Sequence, residues 1–425
     1  MISSLRLQGF KNFRDVTVPL GPLTVLVGTN ASGKSNLRDA FRFIHGISRG
    51  YSLADIVGAK YVDGVEQWRG IRGGTREIAS FGQSAFSLDA LLSPVTVSRT
   101  IIVYDYHYRI SVEVSQGIPR LRVVKESLYL TDELVYDSHP QTPSDRPVQE
   151  GPEHLRVRLG QVGQPPRRGD TERFLSDQPV LSQFASHDGV SEELRTYARC
   201  AIQPIRSMRF LDLSPEAMKV SSIPGQPLGD RGENLSSVLQ TICEDPSRKQ
   251  AMIEWIRQLT PQDVVDFDFP ADQTGKILVT LVESSGQRTS AYIASDGTLR
   301  FLAMMAALMA PDAAQFYFLE EIDNGIHPTR LNLLLQLIEQ HARQGKVQVV
   351  TTTHSPQLLA MLSPEAREHA LLVYRFEDET EAHVQRILDI PTAREVLERQ
   401  NLARLHESGW LENVVAFARK EDAHA

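Results

Sequence analysis

The chain has 425 residues, 41% of them hydrophobic and 23% charged, with a formal net charge of −8. Those values describe a globular protein able to bury a real core, with a length prior of about two to four domains or one large domain carrying an insertion. They exclude a globally basic nucleic-acid binder but leave room for a local basic patch, and the longest apolar run, Phe301 to Ala310, is too short to span a bilayer.

At the N-terminus Leu5, Leu7 and Phe10 alternate like a strand, and no basic start precedes an apolar core, so no signal peptide is expected. The two cysteines, Cys200 and Cys243, lie far apart and suggest neither a disulfide framework nor a zinc site, which fits a reducing cytoplasm. Gly21-Pro22 turns the chain into a β-branched run ending at Val27, and Gly28-Thr29-Asn30-Ala31-Ser32-Gly33-Lys34-Ser35-Asn36 follows. This is G-x-x-x-x-G-K-S between a predicted strand and a predicted amphipathic helix, the context a phosphate-binding P-loop requires. Gly28 and Gly33 free the backbone to wrap a triphosphate, Lys34 would reach the β- and γ-phosphates, and the Ser35 hydroxyl would ligate Mg²⁺. In a nucleotidase so arranged, Phe13 would stack on adenine and Arg14 touch base or phosphate; equally, Phe13 would be core and Arg14 solvated.

The glycine- and arginine-rich stretch 46–82 reads as surface loop, and 85–135 as short strands of an antiparallel sheet extending the P-loop lobe. Residues 138–170 are rich in Pro, Gly and Arg, including Arg167 and Arg168, and the next hundred residues carry helical patterns. The expected organisation is an N-terminal lobe over 1–139, an inserted, partly helical lid or arm over 140–270, and a C-terminal lobe over 271–425.

Alternation returns at Lys276–Glu283 and Arg288–Ile293, and Ser295-Asp296-Gly297-Thr298 then heads an apolar helix to Met309. Ser295 and Gly297 sit where a helix start would offer a hydroxyl and N–H groups to an anion, or where Ser295 is simply an N-cap. The apolar strand Phe316–Leu319 ends in Glu320 and Glu321, the first placed to hold a magnesium hydration shell and the second to act as general base on water. Pro328 opens a helix with Leu331, Leu334, Leu335 and Ile338 inward. A further buried strand ends in Thr353-His354-Ser355, where a histidine can sense a γ-phosphate. Two strand-like pieces follow, and Thr392 to Ala418, with Trp410 and Leu411, reads as helical.

In this order the motifs resemble those of the ABC-type ATPases of the SMC and RecF class, within the wider AAA-family nucleotidases. The 28–36 segment looks like their Walker A, 295–298 like a degenerate signature with Asp296 where glycine is usual, 316–321 like Walker B with Glu320 where aspartate is usual, and His354 like the switch histidine. The 318–328 segment also looks like that of the small RecF-like ATPases found beside bacterial defence genes, including the ATPase part of overcoming-lysogenisation-defect nucleases. The resemblance covers roughly 1–135 and 271–390. It implies a P-loop α/β fold with a mixed sheet and an antiparallel extension, ATP and Mg²⁺ as ligands, and a glutamine, Gln67 or Gln83, near the metal and the attacking water. It implies a homodimer, or a higher even oligomer, in which Ser295 and Gly297 of one copy complete the γ-phosphate site of the other. About fifty residues follow the last core strand, too few for a fused nuclease domain, so a nuclease or toxin would be a separate effector. DNA is the further partner to test, no membrane is expected, and the rival to a phage-defence switch is a RecF-type repair ATPase acting directly on DNA.

Overall fold

The computed structural model describes residues 1–80, 82–93, 105–115, 120–138, 153–161, 171–259, 264–355, 357–376 and 379–390. Arg167, Arg168 and the helix expected over 392–418 lie outside the described residues. The chain opens with β1 (Ile2–Phe10), β2 (Phe13–Pro19) and β3 (Leu23–Val27), then α1 (Lys34–Ser48), α2 (Leu53–Val57), β4 (Lys60–Val62), β5 (Val65–Trp68) and α3 (Gly74–Glu77). Six strands follow: β6 (Ala85–Leu92), β7 (Tyr106–Val114), β8 (Leu121–Leu130), β9 (Glu133–Asp137), β10 (His154–Leu159) and β11 (Thr171–Leu175). Next come α4 (Val180–Phe184), α5 (Glu192–Arg206), β12 (Met208–Leu211), α6 (Pro215–Met218), α7 (Leu235–Cys243), α8 (Pro246–Leu259), β13 (Val264–Asp268), β14 (Thr280–Glu283) and β15 (Arg288–Ser290). The last third holds α9 (Asp296–Met309), β16 (Phe316–Leu319), α10 (Pro328–Arg343), β17 (Gln348–Thr353), α11 (Gln357–Met361), α12 (Pro364–Arg367), β18 (Ala370–Arg375) and β19 (Ala382–Arg386).

Two sheets organise these elements. An eight-stranded antiparallel sheet runs β11-β10-β9-β8-β7-β6-β1-β2, and a six-stranded sheet runs β12-β16-β17-β3-β18-β19, parallel except for β19. The parallel strands are buried on both faces, which is why they read as unbroken apolar runs. Alternation then decides which side chain goes where. Leu26, Phe316, Phe318, Val350 and Leu371 face one core with the antiparallel sheet and the apolar side of α1, namely Leu37, Phe41 and Ile44. Val25, Val27, Tyr317, Leu319 and Val349 face the other core, under α7, α9 and α10. Helix α1 is thus clamped between the sheets, and β3 is held between β17 and β18, strands from the far end of the chain.

The stretch expected as an inserted arm is built differently. Its described part adds β10 and β11 to the antiparallel sheet and β12 to the edge of the parallel one, while α5 packs in the same core as α1. The 46–82 stretch also departs from a plain loop: it holds α2, α3 and the β4–β5 hairpin, and Trp68 is buried with its indole N–H donating to the Ile56 carbonyl at 3.0 Å.

One buried acid stitches the antiparallel sheet to the helices beside it. Glu126 on β8 is fully buried and accepts from Tyr108 and Tyr136 hydroxyls at 3.1 and 2.9 Å, and from the Val180 and Leu181 amides, each at 2.7 Å. Burial pushes its carboxyl up to about 7, even though all four donors pull it down.

Candidate functional site

The carboxyl ends of β3, β16 and β17 meet at one sheet edge, the place where open parallel sheets bind ligands. The loop after β3 curls through Ala31 and Gly33, both at positive φ (63° and 119°), and Gly33 caps α1. A side chain at Gly28 would stand 2.2 Å from the Val373 carbonyl, and one at Gly33 3.1 to 3.3 Å from Ala382, Phe13 and Asn12. The loop therefore lies flat on its support. Among the described residues the Lys34 and Ser35 amides that open α1 have no backbone acceptor, Asn36 and Leu37 donating to the Gly33 carbonyl at 2.8 and 3.1 Å, and the Ser32 hydroxyl is buried with no hydrogen-bond partner. A glycine-formed cradle, free amides and an orphaned hydroxyl fit a chain of phosphates.

Lys34 folds back along this loop. Its ammonium donates to the carbonyls of Gly28 and Thr29 at 2.6 and 2.8 Å and lies 3.3 Å from Nδ1 of His354. Burial pulls it down to about 8, against the attraction of Glu321 and Asp323. His354 joins both sides of the site, with Nδ1 3.0 Å from the Gly28 carbonyl and Nε2 3.0 Å from Oε1 of Glu321. Each ring nitrogen thus faces an acceptor oxygen. Glu321 sits at a left-handed φ of 47°, its amide donates to Thr352 Oγ1 at 2.9 Å, and Asn324 donates to Oε2 at 3.1 Å. The threonines ending β17 explain this register. Thr351 bonds the Leu319 carbonyl and Thr353 bonds Asp323, so each fastens the acid-bearing turn to the histidine-bearing strand.

Glu320 points the other way along the turn and is ion-paired with Arg38 at 2.5 Å. Burial raises its carboxyl above the usual range, and Arg38 opposes the shift. Ser35 is half-buried, and it and Glu320 line the same cavity of about 970 Å³. A hydroxyl and a carboxylate form an oxygen donor set suited to a hard cation that keeps most of its waters. Among the described residues no cluster of three or more His, Cys, Asp and Glu competes for a metal.

The cavity brings together Asn30 to Asn36, Glu320, Glu321 and His354, and of the two glutamines only Gln83 lines it. Gln67 lines a separate hollow. Phe13 is fully buried, its ring below Gly33, and shows no face to a base; Arg14 is exposed and paired with Glu381 at 3.2 Å. Neither lines the cavity, and of the two expectations it is the core Phe13 and solvated Arg14 that this geometry matches, rather than a place against adenine. Ser295 is exposed at the start of α9, its hydroxyl accepting from the Thr298 amide at 3.2 Å, and Gly297 packs against the Gly325 carbonyl. Both lie outside this copy's Lys34 cavity.

The cavity's four further Lys and Arg residues, Lys11, Arg72, Arg76 and Arg375, escaped the sequence reading. Lys11 pairs at 2.5 Å with Asp39 of α1, an acid 1% exposed that Arg72 also meets at 3.1 Å. One signal was available: Asp39 stands one turn before Phe43, at the border of the apolar stripe of α1, and a buried carboxylate demands cations from elsewhere.

A family described as "AAA domain, putative AbiEii toxin, Type IV TA system" matches residues 23–360. A protein named ATP/GTP phosphatase from Helicobacter pylori (strain ATCC 700392 / 26695) is 19% identical over 381 residues, 87% of this chain and 89% of that protein. Among solved structures, an SMC head bound to the C-winged helix domain of ScpA is similar at TM-score 0.48 and 13% identity, covering 90% of this chain and 96% of that one. The SMC head domain from Thermotoga maritima is similar at TM-score 0.42 and 12% identity, covering 91% and 98%. With more than three quarters of its length matched, the chain belongs to that AAA-domain family and is an ATP-hydrolysing enzyme with a P-loop α/β fold.

Proposed function

We propose that the chain is a switch ATPase that binds ATP with Mg²⁺ at the 28–36 loop, pairs head to head with a second copy, and controls a separate effector in bacterial defence. The observation that carries this reading is the split site. Lys34, Glu321 and His354 converge in one cavity, while the Ser295-led start of α9 stands exposed outside it. Tyr292 and Ile293, 70% and 67% exposed, flank that helix start and offer apolar area to a mate. The family description, naming a toxin–antitoxin system, supports an effector or growth-control role over DNA repair.

In this mechanism Lys34 and the loop amides hold and orient the phosphates, with Ser32 supplying one more donor. A magnesium ion, when bound, adds charge neutralisation at the phosphates, and Ser35 and Glu320 are the residues that would hold it. Glu321 Oε1 accepts a proton from the attacking water, and His354 Nε2 keeps that carboxylate aimed. Ser295 and Gly297 of the second copy close the cavity against bulk water. The test is mass measurement of Glu321→Gln protein with and without ATP. Doubling of mass on ATP addition is expected; a monomer at saturating ATP would refute the paired-head reading.

A further inference from the structure

The far side of α1 carries a second hollow that the ATPase chemistry does not use. Its volume is about 590 Å³, in the range of small-ligand sites, and Gln67 lies at its rim. At its base is Arg42, 7% exposed, with its guanidinium carbon 5.1 Å from the Trp68 ring centre and 5.5 Å from that of Phe210. Its Nε is buried and has no hydrogen-bond partner among the described residues. A guanidinium fixed between two aromatic faces with an empty donor is preorganised for a bidentate anion.

The surroundings share its sign. Arg49, Arg69, Arg209 and Arg231 also line the hollow, against Glu66, Asp230 and Glu233, leaving two positive charges over. His45 adds none near neutral pH, since burial pulls it down to about 4. Among the described residues none of the five guanidiniums has a carboxylate within ion-pair distance. Asp230 attracts Arg42 and Arg209 from across the hollow and Arg231 donates to Ser214 Oγ at 3.2 Å, but the buried Arg42 Nε keeps no partner among the described residues, and an unmet buried donor is costly unless something fills it.

We infer that this hollow binds a small phosphate-bearing ligand of about two negative charges, held by Arg42 at the base and by Arg49 and Arg209 at the rim. Its position gives it a route to the ATPase site: Arg42 is one turn along α1 from Arg38, the partner of Glu320, and two turns from Lys34. An occupant would thus press on the helix that carries the phosphate-binding lysine.

Pyrophosphate titrated by calorimetry tests the site, with adenosine monophosphate as a second arm to separate an inorganic source from a nucleotide one. On Lys34→Ala protein, pyrophosphate is expected to saturate one site, and Arg49→Gln with Arg209→Gln to weaken it about tenfold or more, about 1.4 kcal/mol. With Lys34 intact, that pair of substitutions should reduce pyrophosphate from two sites to one and leave ATP affinity unchanged. Absence of binding to Lys34→Ala together with a single site in the intact protein overturns the inference, as does pyrophosphate and monophosphate binding indifferent to Arg49 and Arg209. Binding of a single-stranded oligonucleotide alone, with no response to either small probe, overturns it too.

Discussion

Lys34 must be charged to grip phosphates, yet its surroundings resist the charge. Its folded value of about 8 lies below the unfolded 10.5, so between those values the unfolded chain holds more protons and this group's penalty eases as pH rises. Bound polyphosphate reverses the preference. At about pH 9, ATP binding should therefore take up a proton, read as a dependence of calorimetric enthalpy on the ionisation heat of the buffer, and ATP affinity should fall as pH climbs through about 8. Lys34→Ala should abolish measurable ATP binding, checked by the same titration. Glu321→Gln should keep ATP affinity and lose hydrolysis by about 10² to 10⁴, checked by phosphate release. Much of this site could be read from residue order, because the loop, the paired acids and the Thr-His-Ser end are local patterns at strand ends. Lys11 and Arg72 could not, nor could the choice of Gln83 over Gln67: each reaches the cavity through a turn or loop whose path tertiary packing sets.

Short elements set the limits of the sequence reading at the next scale. Strand β12 has four residues directly after a fifteen-residue helix, too few to show a period, and so 140–270 reads as an arm when it supplies a sheet edge. Conversely, α9 and α10 begin at the expected residues, since Ser295 and His327 cap them and Pro328 fixes the first turn. Glu126 joins such pieces: it ties β7, β8 and β9 to the start of α4. Truncation in Glu126→Ala strands four donors and should cost about 3 kcal/mol or more in urea unfolding. The native acid brings its own pH signature. Its folded value of about 7 exceeds the ordinary 4.5, so its contribution is fully present below about 4.5 and lost as pH rises through about 7. The alanine variant should lack that slope.

For the whole molecule, the same logic separates what one copy does from what two must do. Substituting exposed Tyr292 by Asp should leave ATP binding by one copy intact while abolishing the ATP-dependent mass increase of the Glu321→Gln background, measured by light scattering. An unchanged mass increase would move the contact away from α9. The position of β3 also governs when this enzyme can come into being. The phosphate loop leaves the ribosome early, but the strands on either side of it, residues 348–353 and 370–375, are made about three hundred residues later. Since domains consolidate during synthesis only as their pairings become available, the nascent chain has no finished grip on nucleotide until both flanking strands have been made. A truncated product would carry the loop without its walls, and premature firing is thereby prevented by the order of manufacture.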